Sequence, residues 1–521
     1  PPHIVAGENL NFFPVGGILR RGGAFFIKRS FKGEQLYTIC IRYYIAKILH
    51  EGFPVEFFIE GGRSRTGQVL QPKFGILRMI AQAVQADPAL PVKIIPCAIT
   101  YEKVIEDMAY KNEQDGAVKQ KENFSNLIGT TKLLISKYGQ IYVSFSDPID
   151  MNEALNLKPE TAHQVTDAEL TQNIDVMATD LMARINQAST ITTSSLLSCA
   201  LLNAVSQPVK LDILLETAAF FLALLIERNA LITPVLQTAL AASRASLHET
   251  VNSDDMPVIP GHSGAFVFNM ASESSEENRE QKSDSGSMLA VGGNHARLVK
   301  SLHDPILETL KLFKHNGTIK KRGDDIEIAT SGRLQMAFYK NILLYALIDD
   351  IYLAHVLIHE SSKDEEGSQK ITRELALEAF LHLADDFSVE FKPSNMDSRF
   401  DETWQKFETR QWLEIQGHEG TLTEAGLKAM HSLSRCIAHH LASYKTVSIA
   451  YENLTETIEE SKFIANIMTQ AKQDIGEGKL LPESCSKVVY SHAVSKLIAM
   501  GKFEVSYEQS GRKHAKFLKK I

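Results

Sequence analysis

FPVEFFIEGGRSRTG, residues 53–67, is the stretch from which the rest of the chain can be read. Val55, Phe57, Phe58 and Ile59 form a short apolar run of β-favouring residues, which predicts a buried strand. The run stops at Glu60-Gly61-Gly62, where glycine lets the backbone turn sharply and approach a ligand closely. Arg63, Ser64 and Arg65 follow directly. Two guanidinium forks and a hydroxyl at the carboxyl end of a strand make a cradle for a phosphate ester. The next segment, Lys73 to Gln85, has helical character and is placed behind that cradle.

Outward from this stretch, strand-like and helix-like segments alternate. Ala24 to Lys28 reads as a strand, and Glu34 to His50 as a helix with Leu36, Ile39, Tyr43 and Ala46 at helical spacing. A strand over Val92 to Thr100, a charged helical excursion through Lys121 and a last strand near Gln140 to Phe145 complete residues 1–150. Such alternation predicts an α/β layer on a central sheet flanked by helices. Sites in such sheets lie beyond the carboxyl ends of strands, where Arg29 and Arg63 both fall.

Residues 151–250 read as a helical continuation rich in Leu and Ala, and residues 251–296, with SESSEENREQKSDSGS, as a flexible polar linker. Residues 297–521 read as a mainly α-helical C-terminal region with two hairpin-like interruptions, Thr318 to Thr330 and Trp412 to Leu422. A helix follows each hairpin, a faint winged-helix pattern, but no basic recognition face accompanies it and no nucleic acid is expected. The tail GRKHAKFLKKI reads either as a solvated charged tail or as a contact with anionic lipid.

The 521 residues suffice for two or more domains, and 44% hydrophobic with 23% charged residues is ordinary for a globular chain. A net charge of -8 argues against general nucleic-acid binding. Five scattered cysteines without a CxxC pair point to a reducing compartment and to no structural metal. The most apolar window, Leu211 to Ile226, is interrupted by Asp212 and Glu216 and falls short of the roughly 20 apolar residues a bilayer span needs. It is expected as a buried or interfacial helix.

Three blocks carry a family resemblance. Glu60 to Arg65 resembles the third signature block of the glycerolipid acyltransferases, Gly23 to Arg29 (GAFFIKR) the second, and Ile95 to Ile99 (IPCAI) the fourth. Their order and spacing fit as well. The chain resembles the bacterial membrane-bound glycerol-3-phosphate 1-O-acyltransferases over about its first 150 residues. The resemblance implies an α/β acyltransferase domain and transfer of a fatty acyl group from acyl carrier protein or coenzyme A to the 1-hydroxyl of glycerol 3-phosphate. It implies no cofactor or metal, and a peripheral place on the phospholipid surface at the cytoplasmic face of the bacterial inner membrane. Two other readings stay open: dihydroxyacetone phosphate as acceptor, and a non-catalytic phospholipid- or acyl-binding protein.

The resemblance also implies roles. Arg29 and Arg63 hold the acceptor phosphate; Arg65 joins them or is structural, and Lys28 joins them or faces away. Glu60 contacts the glycerol hydroxyls or pins an arginine. Ser64 caps its turn or donates to the phosphate. Gly61 and Gly62 serve the backbone. Pro96 shapes the wall of an acyl-chain pocket or is a plain strand-edge proline, and Cys97 is an inert core thiol. The general base of the family is a His-x-x-x-x-Asp histidine upstream of the second block. Here His3 is followed at that spacing by Glu8, so a chain opening at Pro1 is expected to be N-terminally truncated, and to bind without turning over. Among 17 histidines only His359 has an Asp at that spacing, Asp364, and a chance match at a solvated helix end is expected there.

Overall fold

The computed structural model describes residues 1–28, 31, 33–62, 64–103, 140–204, 206–245, 265–268, 293–363, 367–389, 391, 395–510 and 513–521. It is mainly helical with several small sheets. The chain opens with β1 (His3–Gly7), α1 (Val15–Arg21), β2 (Ala24–Ile27), α2 (Gln35–His50) and β3 (Val55–Glu56). The strands pair in parallel in the order β2-β1-β3, with Gly7 opposite Ile27 and Ile4 opposite Glu56. The middle strand, HIVAG, is missing from the predicted set, because five residues show no clear period.

Strand β3 is shorter than its apolar run. The Gly61 amide donates to the Phe58 carbonyl at 2.9 Å, closing a turn that leaves Phe58 61% exposed. Helix α2 forms where expected but faces the other way. Leu36, Ile39 and Tyr43 are exposed, while Ile45 and Ile48 are buried and Ile41 packs against the same core. Its sequence carries two apolar stripes, and the purely aliphatic i, i+4, i+7 set is the one covered.

Helix α3 (Phe74–Ala86) lays Leu77, Ile80, Ala81 and Val84 into that core. Strands β4 (Lys93–Ile94) and β5 (Cys97–Tyr101) are separated at Ile95-Pro96. Strand β6 (Ile141–Phe145) pairs antiparallel with β5, and β7 (Ile149–Asp150) with β4. The excursion through Lys121 lies outside the described residues. Helix α4 (Asp167–Gln187) starts at a reciprocal Thr166–Glu169 capping box and closes the core with Leu170, Ile174, Met177 and Leu181.

A second core gathers buried residues from Ile191 to Ile437, and a third from Val447 to Leu518. The second begins with α5 (Thr193–Asn203), β8 (Val209–Lys210), α6 (Leu211–Glu227) and α7 (Pro234–Ala245). Helix α6 is buried through Leu214, Leu215, Ala218, Phe221, Leu222 and Leu225. Most of the expected linker lies outside the described residues; its β9 (Ala265–Phe268) pairs with β6. Then come α8 (Gly293–His315), β10 (Ile319–Arg322), β11 (Asp325–Ile328) and α9 (Arg333–His359). Among the described residues α9 is the one helix long and apolar enough to cross a membrane, and 67% of its apolar window is buried in the protein.

The remainder comprises β12 (Ser362–Lys363), β13 (Gln369–Thr372), α10 (Arg373–Asp386), α11 (Met396–Thr409), β14 (Leu413–Gln416), β15 (Glu419–Leu422) and α12 (Glu424–Ser434). It ends with α13 (Ala438–Glu452), β16 (Ile458–Glu459), α14 (Glu460–Gly476), α15 (Lys487–Ala499), β17 (Phe503–Ser510) and β18 (Lys513–Lys520).

A repeat emerges from this order. From α9, with β12 inserted before it, and again from α13, the chain runs helix, short strand, two helices, hairpin. From α5 it does so with one more helix before the hairpin. Each time the short strand pairs antiparallel with the hairpin's second strand: β8 with β11, β13 with β15, β16 with β18. This unit of short strand, helices and hairpin is thus present three times among the described residues, and the two hairpins read from the sequence close the first two. The third wing includes the expected tail, which is no free tail: Leu518 is fully buried, Lys516 pairs with Glu460 and Lys519 with Glu504, each at 2.9 Å.

Candidate functional site

Parallel pairing puts the carboxyl ends of β1, β2 and β3 at one edge of their sheet. Arg29 follows two residues after β2 and Arg63 seven after β3; both lie outside the described residues. The loop after β3 is described on either side of Arg63. Gly61 has φ +60, and a Cβ there would stand 2.9 Å from Lys73 Cγ, so a glycine is favoured. The Lys73 amide donates to the Ile59 carbonyl at 2.7 Å, tying the loop's two ends together.

Glu60 turns back into its own loop. One carboxylate oxygen accepts from the Leu70 amide at 2.7 Å. Burial pushes its pKa up, and the Leu70 hydrogen bond partly offsets that. Glu60 therefore braces the loop, a contact that neither sequence expectation named. The Ser64 hydroxyl is buried and has no hydrogen-bond partner among the described residues, so it does not cap the turn there. Arg65 is half-buried beside it. Lys28 pairs with Glu34 at 2.9 Å and stands over the Tyr37 ring at 5.0 Å. Pro96 is buried in the link between β4 and β5, where its carbonyl accepts from the Ser146 amide at 2.9 Å. Cys97 has its pKa raised by burial and by Glu56.

Sequence reasoning missed the residues behind this loop. Thr66 and Gln68 are buried, and Asn341 on α9 donates to the Thr66 carbonyl at 2.9 Å. Gln68 Nε2 lies 3.1 Å from His440 Nε2 on α13. Beside it, Lys340 Nζ donates to the Cys436 carbonyl at 2.7 Å and to His439 Nδ1 at 2.8 Å. These partners stand hundreds of positions from the loop, so no local pattern announces them.

The two imidazoles are held neutral. Burial, His440 and Lys340 depress the His439 pKa, and burial, Lys340 and His492 that of His440. The unfolded chain therefore takes up protons first. Their contribution is intact above about pH 6.5 and is lost as the pH falls below it, at up to ~1.4 kcal/mol per pH unit per histidine. His440→Gln is expected to unfold with a pH dependence weaker by about one proton below pH 6. Equal slopes in both proteins would refute this.

A family profile described as the glycerol-3-phosphate acyltransferase C-terminal region matches residues 110–262 and 288–506, most of the chain. The chain belongs to the glycerol-3-phosphate acyltransferase family. A second profile, described as acyltransferase, matches residues 1–100, so the acyltransferase domain carries the loop just described. The glycerol-3-phosphate acyltransferase of Haemophilus ducreyi is 27% identical over 518 residues, covering 97% of this chain and 55% of that protein. That of Pasteurella multocida is 42% identical over 221 residues, 42% of this chain and 27% of that protein. That of Actinobacillus pleuropneumoniae serotype 5b is 42% identical over 229 residues, 43% of this chain and 28% of that protein. This acyltransferase-family chain thus spans about half or less of the relatives it matches.

Proposed function

We propose that this chain grips glycerol 3-phosphate by its phosphate at the carboxyl edge of β1, β2 and β3. In the complete reaction a fatty acyl group passes from acyl carrier protein or coenzyme A to the 1-hydroxyl, giving 1-acyl-glycerol 3-phosphate. The observation that carries this reading is the buried, unpartnered Ser64 hydroxyl in the glycine turn that follows a parallel strand. A phosphate oxygen there would accept from Ser64, while Arg29, Arg63 and Arg65 supply the positive charge. The reading takes the small N-terminal sheets together as one central layer flanked by α2, α3 and α4. It puts Pro96 on the acyl side of the site.

In the transfer, the 1-hydroxyl oxygen forms an ester bond to the thioester carbonyl as the carbon–sulfur bond breaks. The hydroxyl proton goes to a base, and the thiol leaves protonated. By family resemblance that base is a histidine oriented by an aspartate. Substrate and product differ by a fatty chain, so the reaction suits the phospholipid surface, peripherally at the cytoplasmic face of the bacterial inner membrane. The names of the relatives favour glycerol 3-phosphate over dihydroxyacetone phosphate.

Titration calorimetry with glycerol 3-phosphate tests the grip. Arg63→Ala removes charge-assisted hydrogen bonds worth ~1.5–3 kcal/mol, so affinity should fall about ten- to hundredfold. Acyl-donor affinity should stay within about twofold. Equal losses for acceptor and donor would refute the role given to Arg63.

A further inference from the structure

We infer that the C-terminal region holds the acceptor loop in shape: Asn341 on α9 and His440 on α13 are positioning residues for Ser64 and Arg65. This deepens the proposed function and rests on it. Residues 64–71 contain no helix or strand. A loop of that kind keeps one conformation only where its polar groups find fixed partners.

The partners come from three places in the C-terminal region. Asn341 Nδ2 donates to the Thr66 carbonyl at 2.9 Å. His440 Nε2 meets Gln68 Nε2 at 3.1 Å; with the amide donating, His440 carries its proton on Nδ1. Gln71 Nε2 donates to the Val389 carbonyl, between α10 and α11. At Gly67, with φ +80, the backbone lies so close to α9 that a Cβ would stand 2.0 Å from the Phe338 carbonyl oxygen. From within the loop, Glu60 holds the Leu70 amide. Every position from 66 to 71 except Val69 is engaged in one of these contacts, and Arg65 directly precedes the first.

The seam is polar where an apolar one would be more stable. Among the described residues, Thr66 Oγ1, Gln68 Oε1, Asn341 Oδ1, His439 Nε2 and His440 Nδ1 are all buried without a hydrogen-bond partner. Unpartnered buried polar atoms cost stability, and the hydrogen bonds that are made beside them select one geometry over its neighbours. Hydrogen bonds aimed at single backbone and amide atoms set the register of the loop; an apolar contact would let it slide. On this account the helical region is a template for the phosphate grip, and the acyltransferase domain needs it in order to bind its acceptor.

The test pairs hydrogen exchange with calorimetry on the full chain. Asn341→Leu and His440→Leu remove one anchor each, and His440→Gln restores a hydrogen-bonding side chain. Both leucine variants should speed amide exchange across residues 64–71 at least tenfold and leave residues 463–471, in the third core, at parental rates. Glycerol 3-phosphate should bind at least about fivefold more weakly, with acyl-donor affinity unchanged, and His440→Gln should recover most of the loss. Should Asn341→Leu fail to fold, His440→Leu carries the same test. Parental loop exchange in the folded leucine variants would overturn the inference, as would a loosened loop that binds the acceptor normally. A parent chain that protects the loop but binds no glycerol 3-phosphate would refute the proposed function, and the exchange data would still decide whether the loop is clamped.

Discussion

Gly67→Ala is expected to destabilise the protein by about 2–5 kcal/mol, although it adds a single methyl group. Two costs combine. The residue has φ +80, where an L side chain costs about 1–2 kcal/mol. The new Cβ would also stand 2.0 Å from the Phe338 carbonyl oxygen and 2.9 Å from its carbon, both backbone atoms of α9. Neither can rotate away as a side chain would, so the loop or the helix must shift, at roughly 1–3 kcal/mol. Gly33 supplies the control, because its φ is +81 and a Cβ there meets nothing within 4 Å. Gly33→Ala should therefore cost about 1–2 kcal/mol, the backbone term alone. Chemical denaturation of both variants reads the difference, and equal losses would mean that α9 does not abut the loop.

The second large effect is at Asp350, a fully buried carboxylate on α9. One oxygen accepts from Arg228 Nε at 2.7 Å and the other from an Arg410 terminal nitrogen at 3.0 Å. Arg228 also reaches Thr403 at 2.9 Å, and Arg410 pairs with Glu227 and stands 4.7 Å from the centre of the Trp412 ring. Both arginine side chains are about nine-tenths buried, at 10% and 11% exposure. Asp350→Ala would leave two guanidiniums facing the place of one lost carboxylate, and the expected loss is about 3–5 kcal/mol. Glu424→Ala breaks the fully solvated pair with Lys428 and should leave the denaturation midpoint almost unchanged. A loss below about 1 kcal/mol at Asp350 would show that the neighbouring acids already balance the two arginines.

These expectations divide between what local sequence carries and what it cannot. The glycine turn at residues 60–62, helices α2 and α3 and the two hairpins around Gly323 and Gly417 were legible, because each rests on residues within a few positions of one another; the strand read over Val92 to Thr100 is instead split at Ile95-Pro96. The face of α2 was not. Leu36, Ile39 and Tyr43 obey the helical period as well as Ile41, Ile45 and Ile48 do, and only the position of the core chooses between them. The HIVAG strand was too short to show a period, and the lysine-rich C-terminus looked like a tail until Glu460 and Glu504 were seen beside it.

The chain alone determined where the proposed phosphate-binding loop belongs: after an apolar run, at two glycines, among arginines and a serine. Those are short-range facts of backbone freedom and charge. The fold decided what grips that loop. Asn341 lies 275 positions from Thr66, and His440 lies 372 from Gln68. A hydrogen bond needs two groups within about 3 Å in space, however far apart in the chain, so such a pairing leaves no trace in sequence until the helices have packed.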